Sequence, residues 1–587
     1  MLDIIKEGFA LIKIKKRWYF LFLILTILIS TLELLGIGFV FVFLDILLND
    51  NENKKLVESF FINYFGIQEK NKILIYFTTF IIFCFLFRNL ILILFELLNY
   101  RFAAYLQGKY CSEIFQNYLN KEYSWYIKND LTQLIINVSQ HVNLVVQNVV
   151  IGFFVFLSSF IIFISISMTV IFVRPIESFS IILMLLILML TYFIFIKNTI
   201  EYNGNVATKT FEQFFLNVSD PLKSIRLVKT FNLENFFYKR QKFFFDKYLK
   251  HSFILNVIKI IPKYLFELIV IVGILSLILF YLLNGYDIVE YIPVFAFFAI
   301  ASLRLLPHVG AMLNYLQGVK RFKKALFQLS NSIKSNYPNK EKMNSQEFFF
   351  ESMELKKVKF SYEKNENSLN DINLKINKGE KIAIVGKSGS GKTTLLNIIL
   401  GLLRPDRGSL LLNGKNSSNV DYTNIFGLLP QESFILNDTF DRNITLSEEK
   451  QKKSEIIKVM NITNLGIFFN KKNNKFIRRM STNFSEGEKQ RIGISRVLYS
   501  KKKILVFDEP TSSLDSLNEK KIMNLITSLP KTITVLIVTH KLNTLKKFKK
   551  IVLLNNMKID DIGSFDYLYK KNKNFRMMVD FQKIDAQ

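Results

Sequence analysis

The sequence predicts an α-helical membrane domain of six spans followed by a soluble α/β domain. Three observations predict it. The first half holds six apolar stretches, each long enough to cross a hydrocarbon core of ~30 Å, which takes about 20 helical residues. From Phe348 onward, short apolar β-type runs alternate with helical ones. Between two such runs lies a glycine-rich loop.

A chain of 587 residues exceeds one compact core, and 50% hydrophobic content with a mean hydropathy of +0.24 is high for a soluble protein. The net charge of +29 raises nucleic acid as a partner, but much of the Lys flanks the apolar stretches, so basic juxtamembrane residues explain it more simply. No nucleic-acid role is expected. Cys84 and Cys111 are the only cysteines, and Cys84 sits inside an apolar run, so neither a disulfide framework nor a zinc site is expected. The 59 Phe residues are spread through loops as well and carry no signal.

The first stretch follows the basic cluster Lys13, Lys15, Lys16 and Arg17 and runs from Trp18 to about Leu48, too long for a signal-peptide core. Others lie near 72–98, 141–173, 175–197, 262–285 and 287–312. The third and fourth are joined at Arg174-Pro175, the fifth and sixth at Asn284-Gly285-Tyr286-Asp287. Segments 99–140 and 198–261 are long and Lys-rich and keep a helical period, so the spans are expected to project beyond the membrane as helices. By the positive-inside rule these segments and the N-terminus are cytoplasmic, and six spans return the C-terminus to the same side. Between the first two spans, Leu56, Phe60, Phe61, Tyr64 and Phe65 recur at helical spacing; an amphipathic surface helix and an ordinary packed helix both fit. The domain reading is 1–329 for the membrane part, 330–347 for a polar linker and 348–587 for the α/β part.

The chemistry is carried by Gly386-Lys387-Ser388-Gly389-Ser390-Gly391-Lys392-Thr393-Thr394, which follows the strand-like Lys381–Val385 and opens a helix. Backbone N–H groups and a helix N-terminus cradle phosphates there, Lys392 reaches the β/γ-phosphates, and Thr393 ligates Mg²⁺. Downstream, Ile504-Leu505-Val506-Phe507 ends in Asp508, suited to Mg²⁺, and Glu509, suited to polarising a water for γ-phosphate hydrolysis. ATP and Mg²⁺ are therefore the expected ligands, in a P-loop nucleotide-binding fold.

With these motifs in order, the sequence resembles the ABC transporter family along its whole length. Gln431 in Leu429-Pro430-Gln431, the stretch Phe484-Ser485-Glu486-Gly487-Glu488-Lys489-Gln490-Arg491, Ser512-Ser513-Leu514-Asp515, Ile537-Val538-Thr539-His540 and Tyr362 in Phe360-Ser361-Tyr362 look like further family motifs. The resemblance implies that Tyr362 stacks on adenine, Gln431 meets Mg²⁺, Ser485 and Gly487 contact the γ-phosphate held by the other subunit, and His540 holds the γ-phosphate and water. It also implies a homodimer, with each ATP site shared between subunits, and the exporter arrangement of six spans before the ATPase domain. Two departures stand out. Glu486 and Glu488 replace the usual Gly and Gln, and Phe476–Ser481 replaces a segment that is acidic in many exporters.

Three cations interrupt apolar stretches, namely Arg88, Lys263 and Arg304. Charge at membrane depth faces water or a partner. Lys263 can snorkel and Arg88 can pair with Glu33, Glu96 or Glu267, but a shared basic cavity for an anionic headgroup is the functional reading. Their placement resembles bacterial flippases for lipid-linked oligosaccharides, which implies an inner-membrane location and a lipid-linked or amphipathic substrate. An exporter of peptides, drugs or another lipid is the alternative. A regulatory or channel-like protein is disfavoured because the hydrolytic residues are complete.

Overall fold

The computed structural model describes residues 16–48, 70–173, 175–285, 288–334, 341–342, 349–362, 369–417, 420–449, 452–465, 484–512, 514 and 516–584. The predicted surface helix near Leu56–Phe65, the segment Phe476–Ser481, and Ser513 and Asp515 lie outside the described residues. The chain divides into two compact units, residues 1–121 with 125–337, and 122–124 with 338–587.

In the first unit six helices are long and apolar enough to cross a membrane. They are α1 (Lys16–Leu48), α2 (Lys70–Leu119), α3 (residues 131–173), α4 (Pro175–Lys223), α5 (Glu234–Leu283) and α6 (Ile288–Arg321), followed by α7 (Lys323–Lys334). At 1.5 Å per residue, a helix of 50 residues such as α2 or α5 is about 75 Å long, more than twice the hydrocarbon core. The polar segments between the apolar stretches are thus largely helical extensions of the spans. Asp130 starts α3 by accepting the N–H of Thr132 at 2.7 Å. The helix then widens into π-turns at Asn137–His141 and Val146–Ile151.

Lipid tails are as apolar as leucine, so packing rather than exclusion of water holds such helices together. Trp18 and Phe22 of α1 meet Phe102 of α2 and Phe154 of α3, with centroids 4.8 Å apart for Trp18–Phe102 and 4.9 Å for Phe22–Phe154. Each such pair adds about 0.5–1.5 kcal/mol. Gly204 lets α4 approach α6, because a Cβ there would stand 3.0 Å from the Cα and carbonyl O of Arg321. Phe172 and Phe195 face outward, as lipid contact allows. Cys84 and Cys111 are free.

The second unit is built on a six-stranded sheet and a four-stranded one. Its elements include β1 (Ser352–Phe360), β2 (Leu369–Asn377), β3 (Lys381–Gly386), α8 (Lys392–Ile399), β4 (Arg407–Leu412), β5 (Lys415–Asn416), β6 (Phe426–Leu429), α9 (Glu486–Tyr499), β7 (Ile504–Asp508), β8 (Thr534–Val538), β9 (Lys550–Asn555), β10 (Lys558–Gly563) and α10 (Lys573–Ile584). The larger sheet runs β10-β9-β3-β8-β7-β6, parallel except where β10 meets β9, and the smaller runs β2-β1-β4-β5. Ile382, Ala383, Ile384 and Val385 are all fully buried. Continuous apolar runs of this kind fill strands covered on both faces. The register Ile384↔Val538↔Asp508 sets the ends of β3, β8 and β7 side by side. That places the phosphate loop, the acidic pair and His540 at one edge.

Candidate functional site

The loop after β3 turns on two glycines at which a side chain would clash or strain the backbone. A Cβ on Gly386 would collide with the Leu554 carbonyl and Ser390 Oγ, and Gly391, the N-cap of α8, has φ +96°, where side chains are strained. Lys392 is buried, and its ammonium donates to the carbonyls of Gly386 and Lys387 at 2.9 Å each. Burial lowers its pKa, with Glu509 and Asp508 opposing. Ser390 is 4% exposed and its hydroxyl has no hydrogen-bond partner among the described residues, while Lys387, Ser388, Gly389 and Thr393 are exposed and Thr394 is half-buried. A buried cation and an orphaned hydroxyl at a helix N-terminus fit an oxyanion such as a phosphate.

Asp508 ends β7, and its carboxyl is pushed up to about 6 by burial and the adjacent Glu509, against the pull of Lys392. A carboxylate made costly in this way fits a divalent cation. Glu509 takes φ +49°, unusual for a non-glycine residue, while its N–H donates to the Val538 carbonyl at 2.9 Å. The turn sends its carboxylate between two partners. Gln431 Nε2 donates to Oε2 at 3.0 Å, and His540 Nε2 lies 2.8 Å from Oε1. The structure therefore brings together Lys392, Asp508, Glu509, Gln431 and His540.

Two residues without an assigned role in the sequence reading belong to this arrangement. Gln490 Nε2 donates to the backbone carbonyl of Glu509 at 2.9 Å. Gln582 of α10 accepts the Leu542 N–H at 2.9 Å and donates to the His540 carbonyl, which fixes the turn that carries the histidine. Gln490 could have been found from its place in α9. Nothing local marks Gln582.

Ser485 is the N-cap of α9, and Glu488 completes a capping box. Glu486 is exposed and pairs with Lys489 at 2.6 Å. Gly487 lies in the first turn. Tyr362 is exposed, its ring edge-on to Phe360 with centroids 5.0 Å apart.

In the membrane unit, the three expected cations do not form one group. Arg88 is buried in an ion pair with Glu33, which is fully buried, and Arg304 Nε lies 3.6 Å from the same carboxylate, its guanidinium over the Phe85 ring at 5.1 Å. Lys263 is exposed on α5, its ammonium 5.5 Å from the Tyr264 ring, and pairs with no carboxylate among the described residues. It stands apart because it lies inside α5 next to Pro262 at an exposed position, away from the Glu33 pair.

Residues 369–512 match the ABC transporter family. The chain is 34% identical over 233 residues to a putative export ATP-binding/permease protein of Rickettsia typhi, covering 38% of this chain and 40% of that protein. It is 32% identical over 256 residues to an ATP-dependent lipid A-core flippase of Desulfotalea psychrophila, covering 43% and 45%. With the alpha-hemolysin translocation ATP-binding protein HlyB of Escherichia coli O157:H7 it shares 34% over 226 residues, 37% and 32% of the two chains. The chain thus spans less than half the length of these curated relatives. Its fold is similar to a bacterial Atm1-family ABC exporter with ATP bound, at a TM-score of 0.78 and 18% identity over 97% of this chain and 98% of that one. Residues 369–512 are thus an ABC transporter domain, and with six membrane-length helices ahead of it the chain is a multi-pass membrane protein with the fold of an ABC exporter.

Proposed function

We propose that the chain hydrolyses ATP to drive export, working as a homodimer in a bacterial inner membrane with both termini cytoplasmic. The observation that carries the proposal is Glu509, held between Gln431 and His540 at the strand end beside the Lys392 loop. Lys392, Ser390 and the backbone of residues 386–394 would hold the phosphates, and Tyr362 the adenine. Thr393, Gln431 and Asp508 would hold Mg²⁺, which when bound supplies positive charge against the β/γ-phosphates. Glu509 orients and polarises the water, and His540 positions it. Ser485 and Gly487 would complete the second subunit's site.

For the substrate, a lipid-linked oligosaccharide or another anionic lipid is the preferred reading. It is supported by Arg304, a third exposed although near Glu33, which leaves two guanidinium groups against one carboxylate. Pairing with Glu33 weakens the case for Arg88 as a free anion site, and the alternative of peptides, drugs or another lipid keeps its place. Reconstituted protein should move a labelled polyprenyl pyrophosphate glycan in an ATP-dependent way, and Lys392→Ala should abolish both movement and nucleotide binding. Turnover stimulated by hydrophobic peptides and indifferent to the pyrophosphate would select the alternative, and wild-type hydrolysis by Lys392→Ala would overturn the ATP site.

A further inference from the structure

A second polar place in the membrane unit is separate from the arginine pair. A cavity of about 290 Å³ lies between α2, α3 and α6, and Glu96, Asn99, Gln147, Asn148, Asn314 and Tyr315 are among the residues that line it. Four carboxamides and one carboxylate make this lining polar, and polar groups at membrane depth face water, a partner or a ligand. Asn99 is 2% exposed, yet neither its amide nitrogen nor its oxygen has a hydrogen-bond partner among the described residues. Asn148 spends its Nδ2 on the Leu144 carbonyl at 2.9 Å, which leaves its oxygen as an acceptor. Glu96 makes neither an ion pair nor a hydrogen bond among the described residues.

The backbone is shaped to the same end. Gln147 and Asn148 lie in the π-turn Val146–Ile151, where one extra residue per turn changes the direction of side chains, a device common at ligand sites. Glu96 and Asn99 close the apolar stretch of α2, Gln147 opens that of α3, and Asn314 follows that of α6. All sit where the apolar spans meet their polar helical extensions. The cavity is therefore at the mouth of the bundle, about 12 Å along α2 from Arg88.

We propose that this cavity binds a primary ammonium group, with Glu96 as counter-ion and the Asn99 and Asn148 carbonyl oxygens as acceptors. Three N–H donors suit three oxygens that line one cavity, and Tyr315 lines it as well. The one charged group among the described residues that line it is a carboxylate, which favours a cation over an anion. The site gives the exporter reading a substrate feature, an amine carried toward the bundle, and rests on that reading only for its physiological sense.

The test is binding of dansylcadaverine, a fluorescent primary amine, to the full-length protein in nanodiscs without nucleotide, with empty nanodiscs subtracted. Saturable binding is expected, weakened at least about tenfold by Glu96→Gln and by Asn99→Leu, and partly restored by Glu96→Asp. The N-acetylated probe should bind at least about tenfold more weakly to the unmodified protein. Equal affinity for the two probes would overturn the proposal without reference to whether any variant folds, and so would unchanged affinity in a folded Glu96→Gln protein. Because no nucleotide is present, a failure of the ATP-driven reading appears in turnover and not in this affinity.

Discussion

Glu488 accepts the backbone N–H of Ser485 at 2.7 Å, and the Glu488 N–H lies 3.3 Å from the Ser485 hydroxyl. The departure from a glutamine in the signature stretch therefore has a local use, since Glu and Gln both close a capping box. Its charge is turned onto its own helix start, where the dipole favours it. Glu488→Gln should leave thermal stability and ATP turnover close to the starting protein. Glu488→Ala should cost about 0.3–1.5 kcal/mol and lower turnover, as Ser485 loses its fixed geometry. A large gain in turnover for Glu488→Gln would show that the charge restrains hydrolysis instead.

Glu509→Gln should keep nucleotide affinity while slowing hydrolysis about 10²–10⁴-fold, the range for losing a positioned general base. The Gln431 contact can survive the change, since an amide oxygen still accepts. ATP binding measured beside steady-state turnover separates the two effects, and undiminished turnover would place the base elsewhere.

The Glu33 carboxylate has no water to turn to if Arg88 is removed. Arg88→Met alone should destabilise the protein by about 3–5 kcal/mol, while the double change with Glu33→Leu should recover much of the loss. Arg304→Ala should be milder than Arg88→Met because its side chain is 33% exposed against 10%. Thermal unfolding in nanodiscs distinguishes these cases, and equal losses for Arg88→Met and the double variant would mean that the pair does not act as a unit.

Asp508 titrates near 6 in the folded protein, above its ordinary 3.8. Because the folded state holds the proton more tightly than the unfolded one, this group's contribution to stability is present below about 3.8 and is lost as pH rises toward 6. Above 6 the bare carboxylate is a liability that a cation relieves. Mg²⁺ affinity should accordingly weaken as pH falls through 6, approaching tenfold per unit below it. Asp508→Asn should flatten that dependence and raise the stability of the metal-free protein at pH 7, readable by unfolding with and without Mg²⁺.

Much of this was legible in the chain, for identifiable reasons. The spans and the buried strands announce themselves by composition, and the phosphate loop by spacing, because both are local properties. The capping box of Ser485 and Glu488 is also legible, as Ser-x-x-Glu opening a helix. The Glu33 pairing was not decidable, since Glu33, Glu96 and Glu267 are equally acidic on paper and only packing of α1, α2 and α6 selects one. The π-turns of α3 carry no residue signature. Gln582 reaches the His540 turn from 42 residues away, a contact that tertiary structure alone creates.

The close approach at Gly204 divides α4 into two unequal arms. From Pro175 to Gly204 the helix runs about 44 Å, and from Gly204 to Lys223 about 29 Å, at 1.5 Å per residue. A rigid rotation of a few degrees about that point moves the two tips in opposite directions, the far one about one and a half times as much. Filling that contact with a methyl group would push α4 away from Arg321 at the point that divides the arms, and any such rotation would lose its fixed centre.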